Sequence, residues 1–278
     1  MTYHTIFVHL DDSVRSWDRL AMAIQLATAH QSRLVGLFAG FAPETTWLYL
    51  MKEAAQYLAE DRARREARRE AVRQRFQRTM ADGALEWEWR AVEGDPITGV
   101  LREAREASLI VAGQYDAADP YGFVATQFAE ALVLESGRPV LLVPAMGEAT
   151  QVGGRAVVAW DGGREAARAL HDALPLLAGG TVQVFCASTA SQSLRQDAAP
   201  ASVAARMLER QGASASIHHS PAGADMVIGE RILSCAADFG ANLIVMGAYG
   251  HGRFRELALG GVTRTMMASM TVPVLMAH

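Results

Sequence analysis

The chain has 278 residues, half of them hydrophobic and a fifth charged, with a net charge of −4; this balance suits a globular protein of about two domains. The small negative charge gives no global pull toward nucleic acid or anionic membrane, and no run of about 18 apolar residues predicts a membrane span. The opening "MTYHTIFVHLDDS" reaches aspartates before any long apolar run, which argues against a signal peptide and for a cytoplasmic location.

Apolar β-type runs alternate with helical patterns along the chain, the signature of parallel βαβ units. The first half reads strand 5–10, helix 16–30, strand 33–40, a long helix ending near Met80, strand 85–94, helix 96–107, strand 109–113, helix 122–135 and strand 139–145. The second half reads strand 155–160, helix 163–178, strand 181–188, helix 200–211, strand 214–221, helix 226–239 and strand 242–247. A Gly-rich run, a helix from Val262 and a last apolar strand, "VPVLMAH", complete it.

The chain is written twice. "LIVAGQY" at 109–115 matches "LIVMGAY" at 243–249, and "RPVLLVPA" at 138–145 matches "TVPVLMAH" at 271–278. Gly113 stands to Gly247 as Pro139 stands to Pro273, so the tails align without a gap, while at the front Asp11 pairs with Asp161. The long first-half helix absorbs the difference in length. Two tandem doubly wound α/β domains follow, 1–147 and 152–278, each a five-stranded parallel sheet with helices on both faces. Their terminal strands are apolar edges suited to pairing with each other as an internal pseudo-dimer, and two chains can associate further. In such sheets ligands bind outside the carboxyl ends of the strands, here at Asp11 and Gly113 or at Asp161 and Gly247.

A phosphate cradle needs backbone N–H groups turned to one point with no side chains in the way. Glycine permits both the turns and the close approach, and a following helix adds unpaired first-turn N–H groups and the positive end of its dipole. The run "GAYGHGRFRELALGGVT", 247–263, offers all of these. Its glycines, together with Asp161-Gly162-Gly163 after the first strand of the second half, resemble the universal stress protein family, whose nucleotide signature is G-x2-G-x9-G-[S/T]. The resemblance covers the whole chain as a tandem and implies an adenine-nucleotide alpha-hydrolase-like fold and a role in stress response. It implies binding of ATP or a related adenine nucleotide, with Mg²⁺ as a companion ion. The residues it points to are Trp160, Asp161 and Gly162 after the first strand and Ala187 after the second. In the glycine loop they are Gly247, Gly250, His251, Gly252 and Arg253, and at the following helix Gly260, Gly261, Val262 and Thr263. Gly261 stands where the family expects Ser or Thr.

The first half departs from the pattern. Asp116, Ala118, Thr126, Gln127 and Ala129 replace Gly250, Gly252, Gly260, Gly261 and Thr263. Asp116 and Asp119 would repel an anion, and Pro120 removes a donor. This half is expected to bind no nucleotide and to serve as a partner domain, with Asp11, Asp12 and Asp116 as solvated loop acids. No GxxxxGK[ST] motif is present, Lys52 is the only lysine, and no catalytic base or paired carboxylates argue for rapid hydrolysis. Residues 62–78 interleave arginines with acids at i,i+4 spacing, as on an exposed helix face. Trp47, Leu48, Leu50 and Met51 before it read as core or as contacts to a protein partner. His218 and His219 on a strand point to opposite faces, against a shared metal, and Cys186 and Cys235 read as buried thiols of a reduced protein. Two functions fit: a nucleotide-dependent sensor or regulator, and a nucleotide-independent interaction scaffold.

Overall fold

The structure, a computed structural model, describes residues 2–39, 54–92, 94–114, 122–147, 151–187, 199–221, 227–250 and 261–278. The first half runs β1 (Thr5–Leu10), α1 (Arg15–His30), β2 (Arg33–Phe38), α2 (Ala54–Ala81), β3 (Trp87–Ala91), α3 (Pro96–Ala104), β4 (Leu109–Gly113), α4 (Gly122–Glu135) and β5 (Val140–Val143). The second repeats the order as β6 (Arg155–Ala159), α5 (Arg164–Leu177), β7 (Thr181–Ala187), α6 (Ala201–Glu209), β8 (Ser214–Ser220), α7 (Ile228–Phe239), β9 (Leu243–Gly247), α8 (Gly261–Ser269) and β10 (Val274–Ala277).

Local chemistry explains where several of these elements begin and end. Asp95 caps α3 by accepting the Thr98 N–H at 2.7 Å, with Pro96 in the first turn, where its missing N–H costs nothing. Gly240, at φ 64°, closes α7 in the left-handed conformation that glycine adopts without a Cβ penalty. The central strands are apolar on both faces, as parallel strands between two helical layers must be: Leu109, Val111, Leu243 and Val245 face one core, and Ile110, Ala112, Ile244 and Met246 the other.

The ten strands form one sheet in the order β3-β2-β1-β4-β5-β10-β9-β6-β7-β8. Within each half the pairing is parallel. At the centre β5 and β10 pair antiparallel, with Val274 opposite Leu142 and Met276 opposite Val140. The two apolar terminal strands therefore cover each other, and the internal pseudo-dimer expected from the duplication is what the chain builds. Other contacts tie the halves together. Tyr3 donates its hydroxyl to the Asp172 carbonyl at 2.7 Å. The Gln114 side-chain amide donates to the Met267 carbonyl at 3.0 Å, and its oxygen accepts the Ala145 N–H at 2.9 Å.

Helix α2 packs through Val72, Phe76 and Met80 and exposes most of its arginines. Arg62 pairs with Glu66, Arg65 with Asp61 and Arg73 with Glu70, while Arg75 lies 3.9 Å over the Trp17 ring. The arginines are thus largely answered within the chain, as the spacing predicts. Trp47, Leu48, Leu50 and Met51 lie outside the described residues. Among the described residues no helix is long and apolar enough to cross a membrane.

Candidate functional site

The carboxyl ends of β6 and β9 lie beside each other because those strands are neighbours in the sheet. Chain direction reverses sharply after β6. Asp161 Oδ1 accepts the Gly163 N–H at 2.8 Å, and Gly162 takes φ 78°, which leads directly into α5. Trp160 is buried. Its indole N–H donates to the Ala199 carbonyl at 2.9 Å, and the Ala199 N–H returns to the Gly162 carbonyl at 3.0 Å. The chain entering α6 is thereby fastened to the end of β6. Ala187, buried, closes β7 on the same edge.

After β9 the chain turns over the start of α5. A Cβ on Gly247 would lie 2.5 Å from the Ala166 nitrogen and 2.6 Å from the Glu165 carbonyl carbon, so only glycine lets β9 and α5 approach this closely. Tyr249 adopts φ 59°, unusual for an aromatic residue. Its N–H points to Thr263 Oγ1 at 3.4 Å. Thr263 is buried under this turn, so its oxygen braces the loop from within α8. Gly261 opens α8 with nothing among the described residues within 4 Å of the position of a Cβ, while Val262 is half-buried and Arg264 exposed. The structure thus brings together Trp160, Asp161, Gly162, Gly247 and Gly250 at the β6 and β9 ends and joins them to α8 through Tyr249 and Thr263. His251, Gly252, Arg253 and Gly260 lie outside the described residues.

Glu165 is a residue that the sequence reading missed. Its carboxylate is only 8% exposed, in the first turn of α5. A Cβ on Gly250 would come within 3.1 Å of Glu165 Oε2 and 3.8 Å of Asp161 Oδ2, so both carboxylates converge beneath that glycine. Burial pushes the Glu165 carboxyl up. The hydrogen bond from Arg164 at 2.5 Å, its own N–H and the charges of Arg164 and His278 outweigh this and hold it below the ordinary value. In sequence a glutamate in a first turn reads simply as a partner of the helix dipole, and nothing marks it as buried.

The equivalent place in the first half is filled by protein. Arg19, one turn into α1, is buried and sends Nη2 to Asp11 Oδ2 at 2.7 Å and Nε to the His9 carbonyl at 3.2 Å. A Cβ on Gly113 would meet Arg19 Nη1 at 2.5 Å. The expectation of solvated loop acids is therefore corrected for Asp11. It is largely buried, it also accepts from the Ser13 N–H at 2.9 Å, and burial, which raises its carboxyl, is outweighed by Arg19, His9 and Ser13, which hold it far below the usual range. Asp12 is half-exposed and pairs with Arg68 at 3.5 Å; Asp116 lies outside the described residues. His9 packs on Phe128 at 4.5 Å and contacts the Ala39 carbonyl at 3.2 Å through Nε2, and burial lowers it to about 4. His218 and His219 are both exposed on β8, His218 stacking on Phe185. Cys235 is buried and donates to Gln183 Oε1 at 3.0 Å, whereas Cys186 is only half-buried.

Fold and site together define a tandem, doubly wound α/β protein with a glycine-lined turn at the strand ends of its second half. The universal stress protein family model matches residues 2–144 and again 154–278, and the chain belongs to that family. Among solved structures it is similar to a universal stress protein from Archaeoglobus fulgidus DSM 4304, at 18% identity over 98% of this chain and 97% of that one, with a TM-score of 0.70. It is also similar to a putative universal stress protein from Pseudomonas aeruginosa UCBPP-PA14, at 16% identity over 99% and 93%, with a TM-score of 0.56. No curated protein matches the sequence.

Proposed function

We propose that the second half binds ATP or a related adenine nucleotide and that the protein acts as a cytoplasmic stress-response sensor or regulator rather than as a fast enzyme. The observation that carries this reading is the start of α8. Gly261 presents a helix N-terminus that the described residues leave uncrowded, tied through Thr263 and Tyr249 to the turn that holds Gly247 and Gly250. Unpaired first-turn N–H groups and the helix dipole favour phosphate there, and Arg264 adds a cation in the same turn. Trp160 and Ala187 form the apolar strand-end surface on which a base would lie, and Mg²⁺ would ride on the phosphates. Residues Gly247 to Gly250 and Gly261 to Thr263 would hold the phosphate end.

Calorimetry with ATP and Mg²⁺ tests the reading. About one nucleotide per chain is expected, with binding lost in Gly250→Asp. That substitution copies Asp116 of the first half and sets a third carboxylate against Glu165 and Asp161. Gly250→Ala, which adds bulk without charge, separates crowding from repulsion. Absence of heat up to millimolar nucleotide would favour the second reading, an interaction scaffold. The filled strand end of the first half is the observation on that side.

A further inference from the structure

We propose that β8, the strand at the second-half edge of the sheet, is a docking edge for a second copy of this chain, the two β8 strands pairing antiparallel about a twofold axis at Ile217. The ten-stranded sheet ends on β3 at one side and on β8 at the other, and the two edges differ. β3 is half-buried along its length, and Phe76 of α2 stands edge-to-face on Trp87 with ring centroids 5.5 Å apart. It also carries charge: Glu88 pairs with Arg33 at 2.5 Å, and Arg90 pairs with Glu88, Glu103 and Glu106. Charged side chains on an edge strand hinder pairing with another chain. β8, "SASIHHS", has no Lys, Arg, Asp, Glu or Pro. Its register with β7 is unbroken from Thr181 opposite Ser214 to Ala187 opposite Ser220, so no bulge turns this edge away. Ser214, Ser216, Ile217, His218 and His219 are exposed, Ile217 at 40%.

The ladder with β7 sets which backbone groups of β8 face a partner. Ser214 donates its N–H to the Gly180 carbonyl at 2.8 Å. Alternate residues of a strand direct their backbone groups to the same side. Ser214, Ser216, His218 and Ser220 therefore turn theirs to β7, and Ala215, Ile217 and His219 turn theirs outward. Among the described residues no strand pairs with β8 on that outer side. The three outward residues are symmetric about Ile217. An antiparallel copy centred there sets Ile217 opposite Ile217 and Ala215 opposite His219, each as a hydrogen-bonded pair, and closes about six hydrogen bonds. The same register sets Ser216 opposite His218 and Ser214 opposite Ser220. No two carboxylates, ammonium groups or guanidinium groups confront each other, and the two exposed Ile217 side chains meet at the axis. This self-match selects a second copy over an unrelated extended segment. The contact also continues a joint the chain already uses, since the equivalent strands β5 and β10 pair antiparallel at the centre of the same sheet.

Sedimentation velocity on the full chain tests the contact. A reversible dimer with a dissociation constant in the micromolar range is expected, because one strand edge with few large side chains makes a small interface. Ile217→Lys sets two ammonium groups opposite each other at the axis and is expected to weaken the dimer at least about fivefold. Ile217→Cys is expected to give a covalent dimer on mild oxidation, because a residue on the axis meets its own copy. Ser214→Cys, at the far end of the strand, is expected not to cross-link, and neither is the unaltered chain, whose Cys235 is buried and Cys186 half-buried. A chain that stays monomeric up to about 0.5 mM overturns the proposal. So does a dimer that Ile217→Lys leaves intact, since it uses another face. Cross-linking through Ser214→Cys and not through Ile217→Cys overturns it as well. Circular dichroism checks that each variant is folded; should Ile217→Lys unfold, the cross-linking comparison decides.

Discussion

The ends of β1 and β6 carry the same aspartate on the same fold, and the two halves use it in opposite ways. In the first half Arg19 reaches back from α1, neutralises Asp11 and packs against Gly113. In the second half the equivalent of Arg19 is Ala169, fully buried and without charge. Glu165 adds a second carboxylate there, where the first half has Arg15. One side chain, a turn into a helix, fills the strand end of the first half with protein. The two repeats share one frame, and in the first Arg19 and Asp11 fill the strand end.

That contrast can be broken most sharply at Arg19. Arg19→Ala removes one partner of a buried ion pair and strands Asp11. A loss of about 3–5 kcal/mol in denaturant-unfolding free energy is expected, with nucleotide affinity of the second half unchanged wherever the chain remains folded. A cost below about 1 kcal/mol would mean the pair is not the keystone of that half. Next comes Gly247→Ala. Its methyl group would collide with the α5 backbone, which cannot swing aside as a side chain can, so up to about 3 kcal/mol is expected by the same measurement. Ala at Gly261, where there is room, serves as the neutral control.

A third effect separates the halves by pH. His9 titrates near 4 in the fold against 6.5 unfolded. Between those values the unfolded chain binds the extra proton, so stability falls as pH falls. About 2 kcal/mol should be lost between pH 7 and pH 5. Asp11, also depressed, adds a further loss only below the ordinary carboxylate range. Unfolding followed at both pH values should show the first loss, and His9→Phe should abolish it. The smallest expected effect is a gain. Gly261→Ser restores the hydroxyl that the family pattern leads one to expect, in a space that the described residues leave open. ATP affinity should rise by about tenfold at most, and unchanged affinity in a titration would show that the phosphate does not reach this turn.

Much of this was legible in the residues. The alternation of apolar runs with helical patterns placed all ten strands, because a buried parallel strand must be apolar on both faces and little else produces such runs. The gap-free match of "LIVAGQY" to "LIVMGAY" predicted the duplication and the pairing of the last strands. Two features were not legible. Arg19 reads in sequence as an ordinary helix arginine, and Glu165 as an ordinary first-turn acid. Their importance comes from where the helices bring them, against Gly113 and beneath Gly250. Thr263, singled out as a hydroxyl near phosphate, proves to be buried under Tyr249, since its position in the second half-turn of α8 points it at the sheet rather than along the helix axis.

The sequence by itself determined the fold and the doubling, because periodicity and chain repetition are local properties that survive without knowledge of the neighbours. Only the tertiary structure decided that the strand end of the first half is filled by an ion pair. That choice depends on which charges are buried together, and burial of a charge is settled by residues distant in the chain.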